Sequence, residues 1–459
     1  MSTAERAIAG LKEIVGDVGL VLGSDLAMRS CDPFRTVPPR GGVLVRPANT
    51  AQVSAVLRWC HAHGQRIVTH GGRTGVAAAA YADEDEVVLS LERLRRIEEI
   101  DPVGQLVVTE AGITLEGLQQ AVEAQGLFYP IDLGAKGSAT IGGTIATNAG
   151  GNRVVRWGMT RANVLGLEAV LADGTVVCAM NRLVKNNTGY DVKHDFIGSE
   201  GTLGVITRAV LKLVPAPNTQ QVMLASLPSF AAVLQLLGAA RRLHTLSAFE
   251  VMWQDYYALV ARSGGYACPL TPEQPFYVLL ETMGYQQGVD ERLFGTFVEE
   301  AFNAGWIADA AEATSERQIA ELWRVREGSE ALMREMNPFV AFDVSVDIRR
   351  AEEFVNDVRR HLARRYPDFK SVSFGHLGDN NLHLGVHIGT RTLDEEHAIE
   401  RCVYEVVRQY GGALTAEHGI GRLKRPFLPE HVSAGAMDVM RRKRSAFDPD
   451  RLLNREVLF

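Results

Sequence analysis

The sequence predicts an α+β protein built from two large domains, and three observations lead there. Glycine is clustered at Gly71-Gly72 and Gly75, at Gly134, Gly137, Gly142, Gly143, Gly150 and Gly151, and at Gly198, Gly201 and Gly204, whereas residues 217–370 have few comparable groups. Helical and strand-like periodicities alternate up to about residue 216, then follow each other in mixed order, which favours α+β layers over a doubly wound sheet. Between the two regions, Pro215-Ala-Pro217-Asn218 reads as a boundary.

Taken in order, Thr50 is expected to cap a helix whose apolar residues Val53, Val56, Leu57 and Cys60 fall on one face. Residues 66–69 read as a strand running into His70-Gly71-Gly72-Arg73-Thr74-Gly75, and residues 86–90 and 105–109 as further strands. Thr114 starts a second helix, with Leu115, Leu118 and Val122 inward and Gly126 as its stop. Residues 165–170 and 204–207 are strands flanked by turn formers. The second region has strands at 276–280 and 371–374 and helices around 289–304, 351–365 and 394–410.

Composition narrows the function. The chain has 459 residues, 46% hydrophobic and 22% charged, enough for a large core. A net charge of −7 and the lack of a long basic run argue against a nucleic-acid partner. The 5 cysteines form no CxxC pair, which points away from a disulfide framework and towards a reducing compartment. The first residues have no signal-peptide pattern, and no apolar run approaches the ~20 residues of a transmembrane helix. The expectation is a cytoplasmic enzyme, with peripheral membrane association left open.

The glycine groups have a chemical use. No GxGxxG follows a strand, so a Rossmann site is not supported. Side-chain-free backbone lets N–H groups approach phosphate oxygens, and three such groups within about 80 residues point to a large phosphate-bearing cofactor rather than to tight turns alone.

Here the chain resembles a known family. Gly71-Gly-Arg-Thr-Gly75, Pro130-Ile-Asp-Leu-Gly134, Gly142 to Gly151, Asn187-Thr-Gly-Tyr-Asp191 and Gly198 to Gly204 are similar to a PCMH-type FAD-binding domain with two α/β subdomains. His376 to His383 and Glu417-His418-Gly-Ile-Gly421 resemble the C-terminal FAD-linked oxidase domain of D-2-hydroxyacid dehydrogenases, a substrate (cap) domain built on an antiparallel sheet. D-2-hydroxyglutarate and D-lactate dehydrogenases and the glycolate oxidase flavin subunit are the members it resembles. The resemblance covers roughly residues 36–459. It implies an N-terminal helical segment at 1–35, an FAD-binding domain at 36–216, a substrate domain at 217–410 and a C-terminal segment at 411–459 that completes the active site. It also implies that Gly71, Gly72, Arg73, Thr74 and Gly75 hold the FAD pyrophosphate, and that Asp132, Ser138, Gly142, Gly143, Asn148, Gly151 and Ile206 line the rest. Arg73 stands where some relatives carry a flavin-linked histidine, so the FAD is expected to be non-covalent. His70 is expected to be structural, and Ala77 to Ala80 to replace a glycine-containing continuation.

The second motif can be read from its residues. Residues 371–376 and 382–388 read as two strands joined by a short turn, which would set His376 and His383 at facing positions. Alternation puts His383, Gly385 and His387 on one face, with His387 roughly 13 Å from His383 at ~3.3 Å per residue and outside the site. A lone histidine is more often structural, but this pair with Glu417 suits an N,N,O metal site, for Zn²⁺ first and Mn²⁺ next. The resemblance implies that the metal takes the hydroxyl and carboxylate of a 2-hydroxy acid, that His418 takes the hydroxyl proton, that hydride passes to flavin N5, and that Arg326 pairs with a substrate carboxylate. From pattern alone Arg326 reads nearly as well as an exposed helix residue, and Lys424 as an anion holder or equally as a surface charge. Asp343-Val-Ser345 reads as structural.

Three positions depart from the 2-hydroxyglutarate type as aligned: Glu330 for Thr, Ala341 for Lys and Gly385 for Asn. Losing a cation and gaining a carboxylate disfavours a second substrate carboxylate, so D-lactate, glycolate or a larger hydrophobic hydroxy acid is the alternative. A metallohydrolase using the same three ligands leaves the glycine groups unexplained, and an inactive flavin-carrying subunit leaves the His/His/Glu set unexplained. The electron acceptor would be a quinone, an electron-transfer flavoprotein or a cytochrome, and a homodimer is expected.

Overall fold

The structure is a computed structural model that describes residues 3–34, 37–390 and 392–459. The expected boundary at 35/36 falls outside the described residues. The chain divides into two compact units, one formed by Met1–Gly151, Gly158–Ala216 and Glu417–Phe459, the other by Asn152–Trp157 and Pro217–Ala416.

The first unit contains a four-stranded sheet in the order Leu20–Val21, Val43–Val45, Glu86–Ser90, Arg66–His70. The last three strands pair in parallel, and their near-continuous apolar sequence fits strands covered on both faces. The helix Thr50–Ala62 buries Val53, Val56, Leu57 and Cys60, each side chain contributing about 2 kcal/mol. Its N-cap is Asn49, which accepts from the Gln52 N–H; Thr50, the expected cap, instead donates to Glu168 at 2.7 Å. Asparagine is as good a cap as threonine, and one residue of slip lies within the resolution of a periodicity argument. Thr114 caps the helix Leu115–Glu123 as expected. A five-stranded antiparallel sheet follows, in the order Ile97–Asp101, Leu106–Glu110, Val205–Lys212, Val164–Val170, Val176–Ala179. The N-terminal helix Thr3–Val15 buries Ala7, Leu11 and Val15 in the same core.

The second unit is one seven-stranded sheet in the order Asp309–Glu312, Thr219–Leu227, Phe276–Gly284, Leu246–Trp253, Lys370–His376, Asn381–His387, Val340–Ser345. Every pairing is antiparallel. The helices Gln287–Asn303, Ala351–Arg365 and Leu393–Gln409 match the expected ones. The two-histidine hairpin differs in register. His383 lies opposite Phe374, and His376 lies two residues further along the same face. The cause is the single 3-10 turn Leu377–Asp379, which lets residues 377–380 close the hairpin and makes the two histidines diagonal neighbours.

A short segment, Asn152–Trp157, belongs to this second unit although its sequence neighbours on both sides belong to the first. Arg153 helps to explain it. Its guanidinium makes two bonds of 3.0 and 3.3 Å to Glu281, a carboxylate with no exposed surface in the middle of the sheet. Ser247, Gln220 and Trp323 also donate to Glu281, at 2.7, 2.6 and 3.2 Å. Burial pushes the Glu281 carboxyl up, but the Arg153 charge and these donors outweigh it and hold it below the usual range. Arg153→Ala leaves that carboxylate without its cation, and is expected to cost about 3–5 kcal/mol in urea unfolding of the second unit. An unchanged midpoint would show that the neutral donors suffice.

Candidate functional site

The first unit carries a cleft of about 350 Å³ walled largely by backbone. Its lining includes Gly71, Gly72, Arg73, Thr74, Gly75, Gly142, Gly143 and Ile206, so eight of the twelve expected cofactor residues come together here. The wall is made by two chain segments crossing closely. A side chain at Gly72 would run into the Ser138 carbonyl oxygen, so only glycine admits this crossing. Thr140 caps the helix Ile141–Thr147 by accepting from Gly143 N–H at 3.3 Å, which orients that helix into the wall.

The other four expected residues are not among those lining the cleft. Asp132 holds Lys136 at 3.0 Å. Ser138 offers its carbonyl to the crossing at Gly72. Asn148 ends the helix in the left-handed region at φ 50° and accepts from the Arg161 N–H at 2.9 Å. Gly151 donates its N–H to Glu417 at 2.8 Å. The Asn187 to Asp191 stretch lies in an irregular exposed segment, with Tyr190 98% exposed.

Glu417 and His418 line the same cleft. Their backbone is fixed by Glu200, a buried carboxylate that accepts from Ile420 N–H at 2.9 Å and Gly421 N–H at 2.8 Å. Burial raises the Glu200 carboxyl, while those two amides and the Lys424 charge oppose the rise. Lys424 is therefore not the surface charge its position in sequence allowed: it is buried. Asn454 joins Glu200 to the glycine wall, donating to its carbonyl at 3.0 Å and accepting from Thr69 N–H at 3.0 Å. Glu200, Thr140 and Asn454 were not singled out from sequence. Only Thr140 had a legible signal, a cap residue directly before an apolar helical run.

The second unit holds the histidine pair. The His376 and His383 rings are 5.1 Å apart at 85°. His376 Nδ1 lies 2.8 Å from Glu250, its direct cross-strand partner. Glu250 also accepts from Arg326 Nε at 2.7 Å. Arg326 is buried, so the exposed-helix reading does not hold. It ends the helix Glu316–Arg326, lies over the Phe374 ring at 5.0 Å, and has its carbonyl held by Tyr256 Oη at 2.7 Å. Burial pushes the Glu250 carboxyl up, but the His376 and Arg326 charges pull it below the usual carboxylate range. His387 donates from Nδ1 to the Pro338 carbonyl at 2.9 Å and takes no part in the pair. Asp343 faces His383 across the sheet. It accepts from Thr415 Oγ1 at 2.9 Å and Ala416 N–H at 3.1 Å, which ties down the chain one residue before Glu417.

The backbone-rich wall of the cleft suits a phosphate-bearing cofactor, and the family matches give the class of enzyme. Residues 42–179 match the FAD binding domain family, and residues 216–458 match the family of FAD linked oxidases, C-terminal domain. A D-2-hydroxyglutarate dehydrogenase, mitochondrial, of Bos taurus is 40% identical over 98% of this chain and 83% of its own length. A D-2-hydroxyglutarate dehydrogenase of Xanthomonas citri pv. viticola is 37% identical over 95% of this chain and 93% of its own. In fold the chain is similar to alkyldihydroxyacetonephosphate synthase (TM-score 0.76, 15% identity, 98% of this chain and 85% of that one). It is also similar to p-cresol methylhydroxylase with substrate bound (TM-score 0.75, 16% identity, 98% and 95%). The chain belongs to the FAD-dependent D-2-hydroxyacid dehydrogenase family, and is an FAD-linked oxidoreductase acting on a CH–OH group. The side-chain-free wall with Arg73 on it fits a pyrophosphate-bearing cofactor. No described helix is long and apolar enough to cross a membrane.

His70, beside the glycine wall, is fully buried, with Nε2 2.7 Å from the Ala80 carbonyl. Burial drives its pKa down to about 4, against a partial rise from the Ala80 bond and a further fall from Arg73. The folded protein thus keeps His70 neutral, while the unfolded chain protonates it near pH 6.5. Between those values the unfolded state binds more protons, so stability falls as pH drops from 6.5 to 4, by about 3 kcal/mol in all. Urea unfolding at pH 7 and pH 5 is expected to reveal this loss in the wild type and a smaller one in His70→Gln; equal losses refute the assignment.

Proposed function

We propose that this enzyme oxidises a D-2-hydroxy acid carrying an uncharged side chain to the 2-oxo acid, using non-covalent FAD and one divalent metal held by His376, His383 and Glu417. The observation that carries the metal reading is the His376–Glu250 bond. A carboxylate at Nδ1 leaves Nε2 to carry the lone pair a metal needs. Two imidazoles and a carboxylate suit Zn²⁺, with Mn²⁺ next. When bound, FAD supplies the hydride acceptor at N5 and the divalent ion a Lewis acid for the substrate oxygens.

The chain's own residues supply the rest. His418, in the cleft wall beside Glu417, takes the hydroxyl proton. Arg326, with Nε held by Glu250, offers a fixed cation to the substrate carboxylate. Arg73, Gly71, Gly72, Thr74 and Gly75 hold the pyrophosphate, and Gly142, Gly143 and Ile206 continue the wall. The side-chain preference follows from the sheet face beyond His383. There Ala341 pairs with Gly385, and a side chain at Gly385 would meet Val372, Phe339 and Met336, all apolar. Nothing among those residues neutralises a second carboxylate, and Glu330 adds a negative charge on the next helix. The relatives' names favour D-2-hydroxyglutarate instead, so the two readings compete directly. The acceptor would be a quinone, an electron-transfer flavoprotein or a cytochrome, and the free state of all five cysteines suits a reducing, cytoplasmic setting for a homodimer.

Flavin bleaching across D- and L-2-hydroxy acids tests this. D-isomers with neutral side chains are expected to reduce the flavin, a chelator to stop it, and zinc or manganese to restore it. A highest kcat/KM for D-2-hydroxyglutarate overturns the side-chain preference, and full activity in chelator overturns the metal. In a separate measurement, His418→Gln is expected to lower kcat by about 10²–10⁴-fold with FAD content unchanged. A loss below threefold would remove His418 from the proton step.

A further inference from the structure

We propose that Glu250 is the positioning residue of the active site, one buried carboxylate whose two oxygens set the His376 imidazole and the Arg326 guanidinium at once. This rests on the metal reading above.

Glu250 has no exposed surface and sits directly opposite His376 on neighbouring strands, Leu246–Trp253 and Lys370–His376. His376 Nδ1 lies 2.8 Å from both Glu250 oxygens, and Oε2 also accepts from Arg326 Nε at 2.7 Å. A neutral imidazole has one N–H and one lone pair. Facing a carboxylate, Nδ1 must carry the hydrogen, which leaves the lone pair on Nε2. Arg326 makes this arrangement contingent, because its Nη2 stands 3.4 Å from the same Nδ1. Guanidinium nitrogens only donate. Without Glu250, the stable partnership would be Arg326 N–H to a bare Nδ1, and the ring hydrogen would move to Nε2. That tautomer has no lone pair to give a metal. Glu250 therefore does more than hold a ring in place: it stops the neighbouring arginine from selecting the tautomer that cannot ligate. The same bond fixes the plane of the arginine assigned to the substrate carboxylate. One residue thus aligns a metal ligand and a substrate contact that lie 50 positions apart in sequence.

Glu281 is the built-in control. It is another fully buried carboxylate on the same sheet face, paired with Arg153 and touching neither histidine in any bond described above. The experiment uses full-length FAD-loaded protein stripped of metal by chelator and titrated with Zn²⁺ by calorimetry. Glu250→Gln is expected to bind zinc 10–100-fold more weakly than wild type, the usual effect of removing a carboxylate behind a ligating histidine. Glu281→Gln is expected to stay within about threefold of wild type, whatever its loss of thermal stability. The double variant Glu250→Gln/Arg326→Met is expected to recover at least about threefold of the lost affinity, because no guanidinium then competes for Nδ1 and the amide oxygen at position 250 can accept its hydrogen. Wild-type affinity in Glu250→Gln, or an equal loss in Glu281→Gln, overturns the proposal; so does a double variant no tighter than Glu250→Gln. Should Glu250→Gln fail to fold, Glu250→Asp takes its place, since it keeps the charge but withdraws it by one methylene, and unchanged affinity there has the same force. A wild-type protein that binds no zinc or manganese removes the metal site itself, a result distinct from all of these.

Discussion

A carboxylate with no exposed surface in the middle of a β-sheet must find cations and donors or lose its charge, and this sheet carries two. Glu250 and Glu281 project from adjacent strands onto the same face, and neither has accessible surface. Left unpaired, each would cost several kcal/mol. Each instead recruits an arginine from outside the sheet: Arg326 from the end of a helix, Arg153 from a short segment that follows the glycines of the cleft wall in sequence. Residues 152–157 are half-buried, with Val155 packed against Gly378, and Arg156 donates to the Thr245 carbonyl at 3.1 Å. The segment's membership of this unit thus rests on partial burial together with the Arg153–Glu281 pair.

In the first unit the corresponding role falls to Glu200. Its two oxygens accept from successive amides at Ile420 and Gly421, and its carbonyl accepts from Asn454. This is an anion nest made by the protein for its own side chain. It forces the backbone through Gly419 at φ 79° and Gly421 at φ 54°. A side chain at Gly419 would meet Glu200 itself, and one at Gly421 the Ala77 carbonyl. The glycines after His418 are thus needed for the fit against Glu200 and the loop at Ala77. Ala78, in the stretch expected to replace glycine, sits at φ 58°, a conformation that costs an alanine about 1 kcal/mol.

What could be read from sequence was whatever lay in local pattern. Helix periodicity and the alternation of His383, Gly385 and His387 are properties of consecutive residues, and the helices and strands that carry them appear where expected; the glycine groups around 71–75 and 142–143 line one cleft. The partners that charge and orient the site are different in kind. Glu250 sits in Leu246–Trp253, a run of otherwise uncharged residues, and nothing local distinguishes a carboxylate that faces a histidine 126 positions away. Arg326 follows the same logic in reverse: its helix is polar enough to suggest exposure, and only the distant Glu250 brings it inside. The facing arrangement of His376 and His383 failed for a smaller reason. Register in a hairpin depends on turn geometry, and a 3-10 turn shifts the pairing without changing which face the side chains share.

That distinction bears on how substrate choice could vary while the chemistry stays fixed. The groups assigned to chemistry are cross-tied. His376 and Arg326 share Glu250, and Asp343 faces His383 while holding the chain just before Glu417. Changing any one of them leaves a buried polar partner unsatisfied, at a cost of about 1–3 kcal/mol or more. Ala341 and Gly385 have no such ties. They pair with each other through backbone, and their neighbours are apolar side chains that can shift by a few tenths of an ångström. A site in which the reacting groups are locked by shared hydrogen bonds, and the groups beyond them meet only van der Waals contacts, can exchange one hydroxy acid for another at little cost to the fold. The substitutions at 341 and 385 fall where that freedom exists, on the same sheet face as the histidines and outside their hydrogen-bond network.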